Sequence, residues 1–183
     1  MGDRSTALSL FVLAALGSAC GVAPQHARAA SRESECDEIA WPVSRDLDAF
    51  ASKDLSKRPS GARLRQIDRA VELSLKSSDQ IELFMRPAVA LDGRRYSGAV
   101  TFFGVPRPGL YQVTLSEPAE VEVFENGMRL KPLESARAQN CPGVAQSARY
   151  QLAPGDLVLV EIINAPQSTI KVAFDRAKTT TAR

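Results

Sequence analysis

His26 is the only imidazole in this chain of 183 residues. It stands in a segment that the rest of the N-terminus marks for removal. The chain opens MGDRSTALSLFVLAALGSACGVAPQHARAASRESE, with Arg4 in a short polar start and an apolar run over residues 7–16. A membrane-spanning helix takes roughly 20 apolar residues, and no run here is that long. Small residues and Ala27-Arg28-Ala29 follow, the A-x-A pattern cut by signal peptidase. This layout predicts a secretory signal peptide over residues 1–29 and a periplasmic or secreted product. A competing cut lies at Leu16-Gly17-Ser18-Ala19-Cys20, which is similar to a bacterial lipobox with Gly17 where leucine is usual. That cut would leave a lipid anchor on Cys20 and export the chain all the same.

Losing His26 removes several chemistries. A Ser-His-Asp or Cys-His hydrolase has no general base of the usual kind. Iron held by two histidines and a carboxylate, and zinc held by histidines, lose their nitrogen ligands. Phosphate cradles are lacking too, since GVPRPG puts prolines where backbone N–H donors are needed. Calcium wants six to eight oxygens. Asp37 with Glu38, and Asp92 and Asp156 in turns, are too scattered to supply them. No cofactor and no metal are therefore expected.

Cysteine is scarce, at positions 20, 36 and 141. Either cut takes Cys20 out of play and leaves Cys36 and Cys141, an even pair in an oxidising compartment. A disulfide between them is expected, closing a loop of about 100 residues that the chain-entropy view values at about 4–5 kcal/mol.

Charge of one sign is lacking as well. Formal net charge is +2, and removing Asp3, Arg4 and Arg28 with the signal lowers it to +1. So even a balance predicts no nucleic-acid partner and no attraction to an anionic membrane. The basic stretch 53–69 (KDLSKRPSGARLRQIDR) is interrupted by Asp54 and Asp68 and reads as a solvated linker.

Aromatics make up 6% of the chain, too few to advertise a sugar-stacking platform. Tyr111 is in phase with Val113 and Leu115, and Tyr150 with Leu152, so both point to a core. Trp41, near Cys36, reads as a plug. Tyr96 in DGRRYSG is the loop aromatic flanked by arginines, so Arg94, Arg95 and Tyr96 form the candidate ligand-contact patch.

What is present in quantity is alternation. Ser44 is placed to cap a short helix over 45–52 with Leu47 and Phe50 on one face. The polar stretch 56–61 reads as a loop. From residue 70 the period becomes two: AVELSLK, QIELFMRP, GAVTFFGV, LYQVTLS, AEVEVFENGMRL, ARYQL, DLVLVEII and TIKVAF. Asn126-Gly127 between apolar-patterned runs is a hairpin signal. The expectation is an all-β, antiparallel, jelly-roll-like sandwich with a short N-terminal helix. Its organisation is a signal peptide (1–29), an N-terminal extension with helix and loop (30–69), the sandwich (70–174) and a flexible tail (175–183). PGLYQVTLSEPAEVEVF (108–124) and PGDLVLVEIINAPQSTIKVAF (154–174) share an order of turn, strand, turn and strand ending in Phe, as two strand pairs facing each other across a sandwich would.

CDEIAWPVSRD, GLYQVTL and NCPG with its downstream YQL resemble, as a set, a family of small exported bacterial proteins of unknown role. The similarity runs from about residue 36 to 174. Some members carry the label homogentisate 1,2-dioxygenase. That iron enzyme holds its metal with histidines and a glutamate, so no catalytic residue carries over to this chain. The strand plan is also similar, at fold level, to the pre-peptidase C-terminal β-sandwiches of secreted enzymes.

The functional expectation is a non-catalytic binding or envelope-accessory protein whose partner is an envelope glycan or protein. The alternative is a carboxylate-dependent glycan hydrolase or lyase. It would use Glu120 and Glu122, which lie two apart on a strand and so share a face, about 7 Å apart by strand rise.

Overall fold

The structure, a computed structural model, describes residues 36, 38–65 and 69–178. The expected signal peptide, its cleavage site, Cys20, His26 and Asp37 lie outside these residues, as does the end of the tail.

The elements are α1 (Ser44–Phe50) and strands β1 (Ser56–Pro59), β2 (Ala62–Leu64), β3 (Arg69–Ser74), β4 (Lys76–Ser77), β5 (Tyr96–Val105) and β6 (Gly109–Leu115). After these come β7 (Glu120–Glu125), β8 (Met128–Leu130), β9 (Glu134–Arg137), β10 (Gln146–Leu152), β11 (Gly155–Ala165) and β12 (Thr169–Arg176). Eight strands fold as one long ribbon doubled on itself. β3 pairs with β12, β5 with β11, β6 with β10 and β7 with β8, so the first of the eight meets the last and the rest nest inward. Pairings β12–β6 and β11–β7 join the ribbons into two sheets. These are β1-β3-β12-β6-β10-β9, sheet A, and β2-β5-β11-β7-β8, sheet B, with the short β4 on β5. The nesting is that of a jelly roll, and the all-β sandwich expected from the alternation is the fold.

Two refinements follow. β1 runs parallel to β3, and β2 runs parallel to β5, so both sheets are mixed rather than purely antiparallel. Residues 56–61, expected to be a loop, supply β1 and the corner leading to β2, so the sandwich begins before residue 70. The corner joins the sheets: Ser60 N–H donates to Ser74 O at 2.9 Å, and Gly61 N–H to Ala99 O at 2.7 Å. Gly61 takes φ +87° there, a conformation that suits glycine. SKRP carries no alternation because all four residues of β1 are exposed, leaving no apolar face to signal a strand.

Other boundaries moved for local reasons. Helix α1 starts at Ser44, after an N-cap at Val43 with no side-chain cap bond, so Ser44 is not the cap. QIELFMRP forms no strand; Ile81 and Leu83 belong to a strap over sheet B. The tail begins later than expected, because β12 runs to Arg176 and Asp175 is buried. Asn126 (φ 49°) and Gly127 (φ 82°) form the β7–β8 hairpin turn.

The core lies between the sheets. Val71, Leu73, Val100, Phe102, Tyr111, Val113, Leu115, Val123, Tyr150, Leu152, Val158, Val160, Ile162, Ile170, Val172 and Phe174 all sit there. Phe174 packs on Phe102 (centroids 4.6 Å) and Tyr111 (5.8 Å), which places both expected core tyrosines inside. The two similar segments are β6–β7 and β11–β12, and each crosses from one sheet to the other. They lie side by side rather than face to face, with β6 on β12 in sheet A and β7 on β11 in sheet B.

Cys36 and Cys141 form a disulfide with Cα atoms 4.5 Å apart, spanning 105 positions. It anchors a second apolar cluster of Ile39, Trp41, Val43, Leu47, Phe50, Val144 and Ala173, which lays the N-terminal segment on the outer face of sheet A. In a C36S/C141S variant, urea unfolding should show a loss of about 4 kcal/mol. Hydrogen exchange should show residues 38–52 opening before the sheets; simultaneous opening would contradict a separately anchored cover.

Candidate functional site

The stapled segment covers part of sheet A's outer face. Beneath the stapled segment, Trp41 Nε1 donates to Ser147 Oγ (3.0 Å), and Thr114 Oγ1 (2.5 Å) and Gln112 Nε2 (2.7 Å) donate to Asp46 Oδ2. Arg149 stacks over the Trp41 ring at 4.7 Å, pairs with Glu134 at 3.2 Å and donates to Lys178 O at 3.1 Å. Trp41 is thus a plug, as expected. Asp46 is raised above the ordinary carboxylate range by burial, against the pull of hydrogen bonds from Thr114, Gln112 and Asp175 and of the Arg45 charge. These polar side chains are satisfied by one another and form a lining under the cover.

The expected contact residues lie together at the start of β5. Arg94 and Arg95 sit at the tip before β5, each within ion-pair reach of Asp92 (3.7 and 3.8 Å), and Arg95 also donates to Asn164 O. Tyr96 is not a loop aromatic. It is the first residue of β5 and packs half-buried against the core cluster, so its ring is no sugar platform.

The expected acid pair is also re-sorted. Glu120 and Glu122 do share a face, but Glu120 is half exposed and paired with Arg137 at 2.5 Å. Glu122 is buried and stands directly opposite Glu161 across the β7–β11 ladder. Facing residues in such a ladder have Cβ atoms about 5 Å apart. A strap over residues 79–92 covers this second pair. Phe84 N–H donates to Glu161 Oε1 (2.6 Å) and Ala88 N–H to Glu122 Oε1 (2.7 Å). Asn164 clamps the far end, accepting from Asp92 N–H and donating to Ala90 O. Arg129 Nη2 lies 2.9 Å from Glu122 Oε2 as an ion pair without hydrogen-bond alignment, and donates to Arg86 O. The second oxygen of each carboxylate is buried without a hydrogen-bond partner in the protein. Glu161 is raised, chiefly by burial and further by the Glu122 charge, while the Phe84 N–H and Arg129 oppose the rise. Glu161 was missed because IELF-type alternation in DLVLVEII offers its even face to the core, and a lone glutamate on the other face looks solvated.

The basic stretch read as a linker lines an open concavity. An open groove of about 780 Å³ runs along β1 and β2, with Arg58, Arg63 and Arg65 on its walls and Leu55, Pro59 and Leu64 among its apolar lining. All three arginines are exposed. None has an acid partner among the described residues; Asp54 is the carboxylate in the groove lining. Among the described residues no group of three or more His, Cys, Asp or Glu side chains stands where it could hold a metal ion. Compared with known proteins, the chain matches no family model and no curated protein.

Both raised acids bind a proton more tightly folded than unfolded. The stability they contribute is complete below the unfolded carboxylate range and is lost as pH rises through their folded values. Asn at 46 and Gln at 161 mimic the protonated forms and keep the acceptor oxygens. The D46N/E161Q variant should therefore be more stable than wild type at pH 8, by a margin that vanishes near pH 4. Urea midpoints across that range check the sign, and a margin that grows on acidification would contradict it.

Proposed function

We propose that this protein is an exported, non-catalytic binding module that serves the cell envelope, and that its ligand is an anionic envelope polysaccharide. Its N-terminus carries the signal-peptide layout, and a disulfide suits an oxidising compartment. The observation that carries the binding reading is the groove: three exposed guanidiniums along one edge of the sandwich, without acid partners among the described residues. Guanidinium forks recognise carboxylate and phosphate in bidentate fashion, and an open groove accepts a polymer in mid-chain.

Exposed arginines contribute little to folding, so R58Q/R63Q/R65Q should melt within a few degrees of wild type. Its affinity for polygalacturonate, measured by calorimetry, should fall at least about 10-fold. Neither protein should bind neutral dextran. Equal binding by variant and wild type, or no binding of any member of a glycan array by wild type, would overturn the reading.

A second reading, a carboxylate-dependent glycan hydrolase or lyase, has one observation in its favour: Glu122 and Glu161 face each other as buried acids on adjacent strands. Glycoside hydrolysis uses such a pair of acids, one as general acid and one as nucleophile or base. In this reading, release of reducing ends from cell-wall and capsule glycans is measurable with wild type and disappears in E122Q/E161Q. Absence of release by wild type removes it.

A further inference from the structure

Sheet B presents an outer face that the strap covers only in part. Its register places one row of side chains across five strands. Arg63 on β2 faces Thr101 on β5, Thr101 faces Leu159 on β11, Leu159 faces Phe124 on β7, and Phe124 faces Arg129 on β8. All five are on the outer side, because the neighbours Val100, Val158, Val160 and Val123 point into the core. In the next row Phe103 faces Leu157. The row is apolar in its middle and cationic at both ends.

Three of the large exposed apolar side chains, Phe84, Met85 and Leu157, lie on this side. Phe84 (56% exposed) leans edge-on over Phe124, with ring centroids 5.3 Å apart, and its tip lies beside the Gly127 turn. Met85 (46%) follows it on the strap, and Leu157 (41%) stands beside Asn126, whose N–H donates to its carbonyl. Arginines flank the patch. Arg86 is exposed on the strap, Arg129 shares its charge with Glu122, and Arg63 and Arg65 wall a depression of about 610 Å³ with Phe103 and Gly104. Of the nearby acids, Glu82 is exposed and Glu125 accepts from Ala153 N–H.

We infer that this face docks the protein onto an anionic lipid bilayer, with Phe84, Met85 and Leu157 entering the head-group boundary and Arg63, Arg65 and Arg86 meeting lipid phosphates. The occupant is chosen by charge complementarity and shape. Apolar tips rimmed by cations match the layering of an anionic leaflet, acyl chains inside and phosphates outside. The arginine-walled depression beside the strip has an apolar floor and cationic walls, which suit a phosphate head group. This surface is separate from the polysaccharide groove except where Arg63 and Arg65 border both. Bulk charge predicts no such attraction; the local arrangement supplies it.

The test is flotation of the exported, disulfide-bonded protein with vesicles of phosphatidylethanolamine and phosphatidylglycerol, about 7:3, against pure phosphatidylcholine. Binding to the anionic vesicles is expected, with little binding to the neutral ones. M85S/L157T changes two exposed side chains and leaves Phe84 on Phe124; it should lower vesicle affinity about 10-fold or more without altering the melting curve. R63Q/R65Q should lower it about 5-fold per arginine and flatten its salt dependence. Failure to bind anionic vesicles, or binding unchanged in M85S/L157T, overturns the inference, and the second outcome does so even if the N-terminus carries a lipid. Polygalacturonate binding measured in parallel separates the two surfaces. It should survive M85S/L157T, so its persistence without vesicle binding would leave the binding-module reading standing and remove this one.

Discussion

A β-sheet has two faces, and packing two sheets together buries only one face of each. Everything distinctive about this protein follows from how its outer faces are treated. On sheet A the cover is a separate N-terminal segment fixed by Cys36–Cys141 and by Trp41 seated on Ser147. On sheet B the cover is a strap grown from the chain between β4 and β5, fixed by carboxylates that accept its backbone N–H groups. An apolar cluster and a covalent bond hold the first. Hydrogen bonds to charged or protonatable groups hold the second, which makes sheet B the side whose cover depends on its surroundings.

The two covers differ in how completely they satisfy what they bury. Under the N-terminal segment, Asp46, Gln112, Thr114, Ser147 and Arg149 bond to one another in a chain, and burial raises the carboxyl at its centre. Under the strap, Glu122 Oε2 has only the Arg129 ion pair at 2.9 Å, and Glu161 Oε2 has no hydrogen-bond partner among the described residues. Buried polar atoms in native proteins find a protein or water partner in nearly all cases. Glu161 Oε2 is the exception under the strap, and burial together with the neighbouring Glu122 charge raises that acid and favours its protonated form. Tyr150, buried in the core and pushed up to about 12, chiefly by burial and secondly by the Glu122 charge, keeps its own proton throughout.

Much of the fold is legible because inward positions alternate with others along each long strand. Tyr111, Val113 and Leu115 are in phase, as are Ile170, Val172 and Phe174, and Asn126-Gly127 names its own turn. The staple is legible because removing one cysteine leaves two. What alternation does not reveal is the second layer. β1 has no buried side chain, so SKRP reads as a loop although its backbone pairs with β3. IELF alternates like a strand although its residues lie along a strap whose bonds run to side chains instead of to a ladder. The same blindness explains the site. Glu120 and Glu122 look paired along the chain, but the meaningful neighbour of Glu122 is Glu161, a cross-strand partner that only the register reveals.

Charge shows the same separation between chain and surface. A formal balance of +2 over the whole sequence averages residues that never share a face. Folding sorts them. Glu122 and Glu161 go beneath the strap, Glu134 goes to Arg149, Glu120 to Arg137 and Glu72 to Lys57. Arg58, Arg63 and Arg65 remain on one edge without acid partners among the described residues. Acids consumed internally cannot screen cations left outside, so a nearly neutral chain acquires a cationic edge next to an apolar strip. An interaction surface of this kind is a property of pairing register, and residues 63, 101, 159, 124 and 129 become a single row only once five strands are laid side by side.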